Sequence, residues 1–89
     1  MKIEFDPAKD AVNREKHGLS LDFGARLFDD PDLLLLPTIR RADEEERYKT
    51  VGMVEGRLYT AVHVWRGETV RFISVRRSND SEEKAYHCD

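Results

Sequence analysis

The chain has 89 residues, 39% of them hydrophobic and 37% charged, which allows one modest core and excludes two. The longest unbroken apolar run is Leu33 to Leu36, against the roughly 20 residues of a spanning helix, so a membrane protein is excluded as well. The formal net charge of −3 argues, on its face, against a nucleic-acid protein.

Lys2-Ile3-Glu4-Phe5 alternates and reads as a short strand. Lys2, Glu4, Asp6, Lys9 and Asp10 leave no room for the apolar core of a signal peptide, so the expected location is cytoplasmic. Asp6-Pro7 announces a helix, because Asp6 can accept from the first free amides and proline suits the first helical position. Ala8, Ala11 and Val12 continue it to Lys16-His17, and Gly18 ends it. Ser20 is the next N-cap candidate, opening a second short helix with Phe23, Leu27 and Phe28 as its apolar stripe.

Strands follow. Leu33 to Leu36, bracketed by Pro31 and Pro37, reads as a buried strand, and Arg47 to Val54 alternates imperfectly. Glu55-Gly56 turns into Leu58 to Trp65, and Arg66-Gly67 turns into Thr69 to Arg76. Two consecutive hairpins make an antiparallel meander. Asp80 with Glu83 resembles a capping box, so a short helix through Tyr86 is expected. The predicted order is β-α-α-β-β-β-β-α in one domain, residues 1–89. That is an α+β fold with helices packed on one face of a mostly antiparallel sheet.

The net charge hides an asymmetry. Residues 1–20 sum to zero, 21–56 to −4, 57–77 to +4 and 78–89 to −3. The basic stretch contains Arg57, Arg66, Arg71, Arg76 and Arg77 against Glu68 alone. Arginine is suited to bidentate contact with phosphate, although a solvated face has the same composition. In a regular strand Arg71 and Arg76 point to opposite faces, and a twist or bulge near Ser74 would reconcile them. A charge amid so apolar a strand needs a wet cleft, a partner, or acidic neighbours such as Glu44 to Glu46. Lys16-His17 at a helix C-terminus is either a plain response to the negative pole or a proton-transfer or phosphate-contact pair. Trp65, Tyr59 and Tyr48 are either core and hairpin residues or surfaces for stacking exposed bases. His17, His63, His87 and Cys88 lack the spacing of a structural zinc site, and the lone cysteine has no internal disulfide partner. No phosphate loop and no G-x-S-x-G element occurs.

One ordered set of residues is more specific than any of its parts. It begins with Phe5-Asp6-Pro7-Ala8-Lys9, Asn13, Lys16-His17-Gly18, Phe23, Ala25 and Phe28-Asp29-Asp30-Pro31. Glu46-Arg47, Gly52, Arg71-Phe72-Ile73-Ser74-Val75-Arg76-Arg77, Glu83 and Tyr86 complete it. Across nearly the whole chain this resembles the BrnT family. Phe5 stands where tryptophan is common and Val75 where alanine is common, both packing changes.

The resemblance implies a RelE-like fold and a toxin of a bacterial type II toxin–antitoxin system. Such a toxin cleaves RNA without a metal or other cofactor, inhibits translation and arrests growth. The implied partner is a BrnA-type antitoxin in a 2:2 complex that reaches operator DNA only through the antitoxin. The implied chemistry uses the RNA 2′-hydroxyl as internal nucleophile. Arg71 and Arg76 are then the expected transition-state binders, and His17 or Glu46 the base. Lys16, Arg47 and Arg77 are expected phosphate contacts, with Lys16 an alternative proton donor. A non-catalytic co-repressor, or an inactivated toxin that only binds its antitoxin, is the competing reading.

Overall fold

Asp6 and Gly18 bracket the first helix as their chemistry requires. The Asp6 carboxylate accepts from the Ala8 amide at 2.9 Å, and Gly18, at φ 72°, takes the left-handed conformation while its N–H bonds to the Arg14 carbonyl. A computed structural model describes residues 1–38 and 47–88 of the chain. Along it run β1 (Lys2–Glu4), α1 (Pro7–His17), a 3-10 helix (Leu21–Asp29), β2 (Leu34–Thr38), β3 (Arg47–Val54), β4 (Arg57–Arg66), β5 (Thr69–Arg77) and α2 (Asp80–His87).

The strands form one five-stranded sheet in the order β1-β5-β4-β3-β2. The β2-β3-β4-β5 meander is antiparallel, and β1 adds a parallel edge beside β5 through residues 69–71, so the sheet is mixed. Glu55 and Gly56, at φ 52° and 81°, make the two-residue turn between β3 and β4, the left-handed pair a tight hairpin needs. β2 includes Pro37 rather than stopping before it; this is an edge strand, where a missing N–H costs no ladder bond.

The second helix differs from the sequence expectation in its winding. Leu21, Gly24 and Leu27 are its buried residues, spaced by three, and three residues per turn puts them in one row. Two glycines let that row lie directly on the sheet. A Cβ on Gly24 would sit 2.6 Å from the Phe72 ring, and one on Gly52 would sit 2.9 Å from the Leu27 carbonyl oxygen. α1 and the 3-10 helix cover one face, over a core of Leu21, Leu27, Val54, Ala61, Val70, Phe72 and Val75.

α2 corrects two expectations. Its N-cap is Asn79 and its capping box runs to Glu82, one residue earlier than the Asp80–Glu83 pairing. It also lies on the opposite face of the sheet from the other two helices, because Glu82 bonds to Thr60, whose register places it away from the core.

A β-bulge in β5 decides where the arginines point. Val62 pairs with Ser74 and His63 with Phe72, which leaves Ile73 without a partner on β4. The extra residue resets the alternation. Arg71 pairs with Val64 and Arg76 with Thr60, so both arginines share the face opposite the main core. Their cross-strand partners are four residues apart on β4, about 13 Å at strand rise.

Candidate active site on the cationic sheet face

Strand alternation gathers Arg47, Lys49, Arg71 and Arg76 on that face. Arg71 and Arg76, the β5 arginines on this face, each meet a carboxylate. Arg71 Nη1 lies 3.0 Å from Glu4 Oε2, a neighbour across the β1–β5 ladder, in a pair both of whose members stay partly exposed. Arg76 donates from Nη1 and Nη2 to the two carboxylate oxygens of Glu82, each at 2.8 Å.

Glu82 is the most connected side chain of the site and only 2% exposed. Besides the Arg76 fork it accepts from Lys49 Nζ at 3.1 Å, Thr60 Oγ1 at 2.9 Å and the Asn79 amide at 2.9 Å. Burial alone would raise its pKa, but the bonds from Arg76, Asn79, Lys49 and Thr60 outweigh it and hold the carboxylate far below its ordinary range. So weak a base is suited to aiming a guanidinium rather than to accepting a proton. The same fork raises the pKa of Arg76. A second tie holds α2 down: Tyr86 Oη donates to Asp30 Oδ2 at 2.6 Å, which pushes the phenol up to about 12.

Round the open edge of β5 the face continues into a groove of about 480 Å³ between α1 and the bulge. Lys9, Lys16, His17, Ile73 and Ser74 line it. β1 covers β5 only as far as Arg71, and beyond that point α1 takes over. Asn13 Nδ2 donates to the Val75 carbonyl at 2.9 Å and its Oδ1 accepts from the Val75 amide at 3.1 Å, so one buried side chain replaces a strand. Lys9, Lys16 and His17 are exposed. Ser74 lies on the arginine face two residues from Arg76, about 7 Å along the strand, and also lines the groove, which makes the two surfaces continuous.

The expected site residues thus separate into three places. Arg47, Arg71 and Arg76 share the sheet face, while Lys16 and His17 line the groove at its edge. Arg77 lies on the other face, its guanidinium 5.7 Å from the Tyr59 ring centre. Glu46 and the acidic neighbours Glu44 and Glu45 lie outside the described residues. Sequence reasoning missed Glu82, Lys49 and Asn13. The N-x-x-E spacing of Asn79 and Glu82 was the available signal for the first; nothing local marks the other two, since their partners are distant in the chain.

His63 is buried for a different reason. Its Nε2 lies 2.7 Å from Thr50 Oγ1, its Nδ1 has no partner among the described residues, and Phe28, Tyr48, Trp65 and Phe72 surround the ring. Burial pulls its pKa from 6.5 down to about 4. The unfolded chain therefore binds this proton first as pH falls. Stability contributed by neutral His63 is complete above pH 6.5 and declines between pH 6.5 and 4, by about 3 kcal/mol. Urea unfolding at neutral pH and near pH 5 checks this: the wild type loses stability over that interval, and His63→Leu flattens the loss. Equal pH dependence in the two proteins would refute the assignment.

Among the described residues no helix is long and apolar enough to cross a membrane, and no group of three or more His, Cys, Asp or Glu is placed to hold a metal ion. The sequence model of one family, described as the ribonuclease toxin BrnT of a type II toxin–antitoxin system, matches residues 5–82. The chain belongs to the BrnT family. A comparison with curated proteins gave no match. The matched span takes in β5, the groove residues of α1 and, at its last position, Glu82. Both surfaces of the candidate site therefore fall inside the part of the chain that is BrnT-like.

Proposed function

We propose that this BrnT protein is a metal-independent endoribonuclease whose substrate crosses the cationic sheet face and the groove beside it. The observation that carries the reading is the bulge at Ile73, which puts Arg71 and Arg76 on one face with Arg47 and Lys49. Cleavage of RNA without a metal requires positive groups fixed in advance around the phosphate, each worth about 10²–10³ in rate. Arg76 is held by Glu82 in such a fixed position, and Arg71 by Glu4.

In the proposed reaction His17 or Glu46 takes the proton of the 2′-hydroxyl. The 2′-oxygen then bonds to phosphorus, the bond from phosphorus to the 5′-oxygen breaks, and the departing oxygen receives a proton from Lys16 or from the protonated His17. Products end in a 2′,3′-cyclic phosphate and a 5′-hydroxyl. Arg71 and Arg76 stabilise the extra negative charge, and Arg47, Lys16 and Arg77 steer the backbone. The wider reading follows the resemblance: a RelE-like toxin in the cytoplasm that stops translation and growth. A BrnA-type antitoxin holds it in a 2:2 complex and supplies the contact with operator DNA.

The pairing of both arginines with carboxylates favours one second reading, a co-repressor that only binds its antitoxin. Incubating the folded, purified chain with RNA in EDTA separates the two. Cleavage with cyclic-phosphate ends is expected; intact RNA would overturn the ribonuclease reading.

A further inference from the structure

Of the five arginines between residues 57 and 77, Arg71 and Arg76 on the proposed catalytic face are each tied to a glutamate. Arg57 and Arg77 have no carboxylate partner among the described residues, and both are exposed. They lie on the other face of the sheet, at the end where β4 begins and β5 finishes. Tyr59 is the Cα partner of Arg77 across the ladder and follows Arg57 by two residues on the same face. Arg77 stacks on the Tyr59 ring, and the edge of Phe23 supports that ring at 4.8 Å between centroids. Beside them opens a hollow of about 260 Å³ lined by Phe23, Arg26, Val54, Glu55, Arg57 and Tyr59. Its one carboxylate, Glu55, is paired with Arg26 at 2.8 Å.

We infer that Arg57, Tyr59 and Arg77 form a second RNA site, which holds the single strand flanking the cleaved bond. The inference rests on the ribonuclease reading. Two exposed arginines beside an aromatic ring, one over it and one two residues along the same strand face, match alternating phosphates and a base, since bases stack on aromatic rings and on arginine planes alike. Arg77 also adjoins Arg76, with Cα atoms about 3.8 Å apart and side chains on opposite faces. A strand bound at Arg76 therefore reaches Arg77 by rounding the end of β5. The site reads backbone and π-face, so it adds affinity without sequence preference.

The test is binding of a 2′-O-methylated single-stranded RNA, which cannot be cleaved, followed by anisotropy across a salt series. Each of Arg57→Ala and Arg77→Ala is expected to lower the slope of log K against log salt by about 0.7, equally for RNAs of different sequence. The lysine variants should keep the slope. An unchanged slope in the folded double alanine variant would overturn the second site. So would lost antitoxin affinity with RNA binding intact, since the surface would then belong to the antitoxin. If the wild type cleaves RNA in EDTA while these variants bind normally, only the second site fails; if the wild type neither binds nor cleaves, the ribonuclease reading fails with it.

Discussion

Replacing Glu82 with alanine is expected to cost about 3–5 kcal/mol of stability, a large part of the roughly 4–13 kcal/mol that a domain of 89 residues possesses. The carboxylate is 2% exposed and holds Arg76, Lys49, Thr60 and the Asn79 amide together. Removing it leaves two cations clustered without their shared counter-charge, and it opens the capping box that starts α2. Glu82→Gln keeps the size but loses the charge, so it separates the ionic contribution from the packing. Its cost should fall between wild type and alanine. Urea denaturation at pH 7 measures both. A loss below about 1 kcal/mol for the alanine variant would show that the network is no stronger than a surface pair.

Arg71→Ala should do the opposite: leave the fold intact and remove activity. Its bond to Glu4 joins two groups that are 33% and 41% exposed, and pairs of that kind contribute about 0–1 kcal/mol. Loss of a fixed positive group at the transition state costs about 10²–10³ in rate. His17→Ala, on the exposed end of α1, should likewise spare stability and lower the rate by about 10²–10⁴ if His17 moves the proton. Cleavage rates in EDTA, with thermal unfolding as the control, check both. Activity preserved in Arg71→Ala would remove that residue from the site, and preserved activity in His17→Ala would pass the base role to Glu46.

The sequence is legible where the deciding physics is local. Asp6, Pro7 and Gly18 mark the ends of α1 because caps depend on neighbours in the chain. Glu55-Gly56 marks its hairpin because the turn needs left-handed backbone. The 3-10 winding is not legible in the same way, since Leu27 serves both a 3.6-residue stripe and a three-residue row, and the contact of Gly24 with Phe72 selects the latter. The face occupied by α2 depends on Glu82 meeting residues up to 33 positions away. The arginines are the clearest case. Regular alternation separates Arg71 from Arg76, and only one unpaired residue at the bulge reunites them.

Asn13 has a consequence of another kind. A strand edge with unpaired amides and carbonyls invites pairing with a second molecule. Where β1 stops short, the two-point bond between Asn13 and Val75 occupies that invitation with a side-chain amide. The chain thereby keeps a rim of β5 accessible to the solvent groove without offering it as a template for self-association. At this rim of the sheet, the groups that would seek a partner strand are held by one carboxamide anchored in a helix.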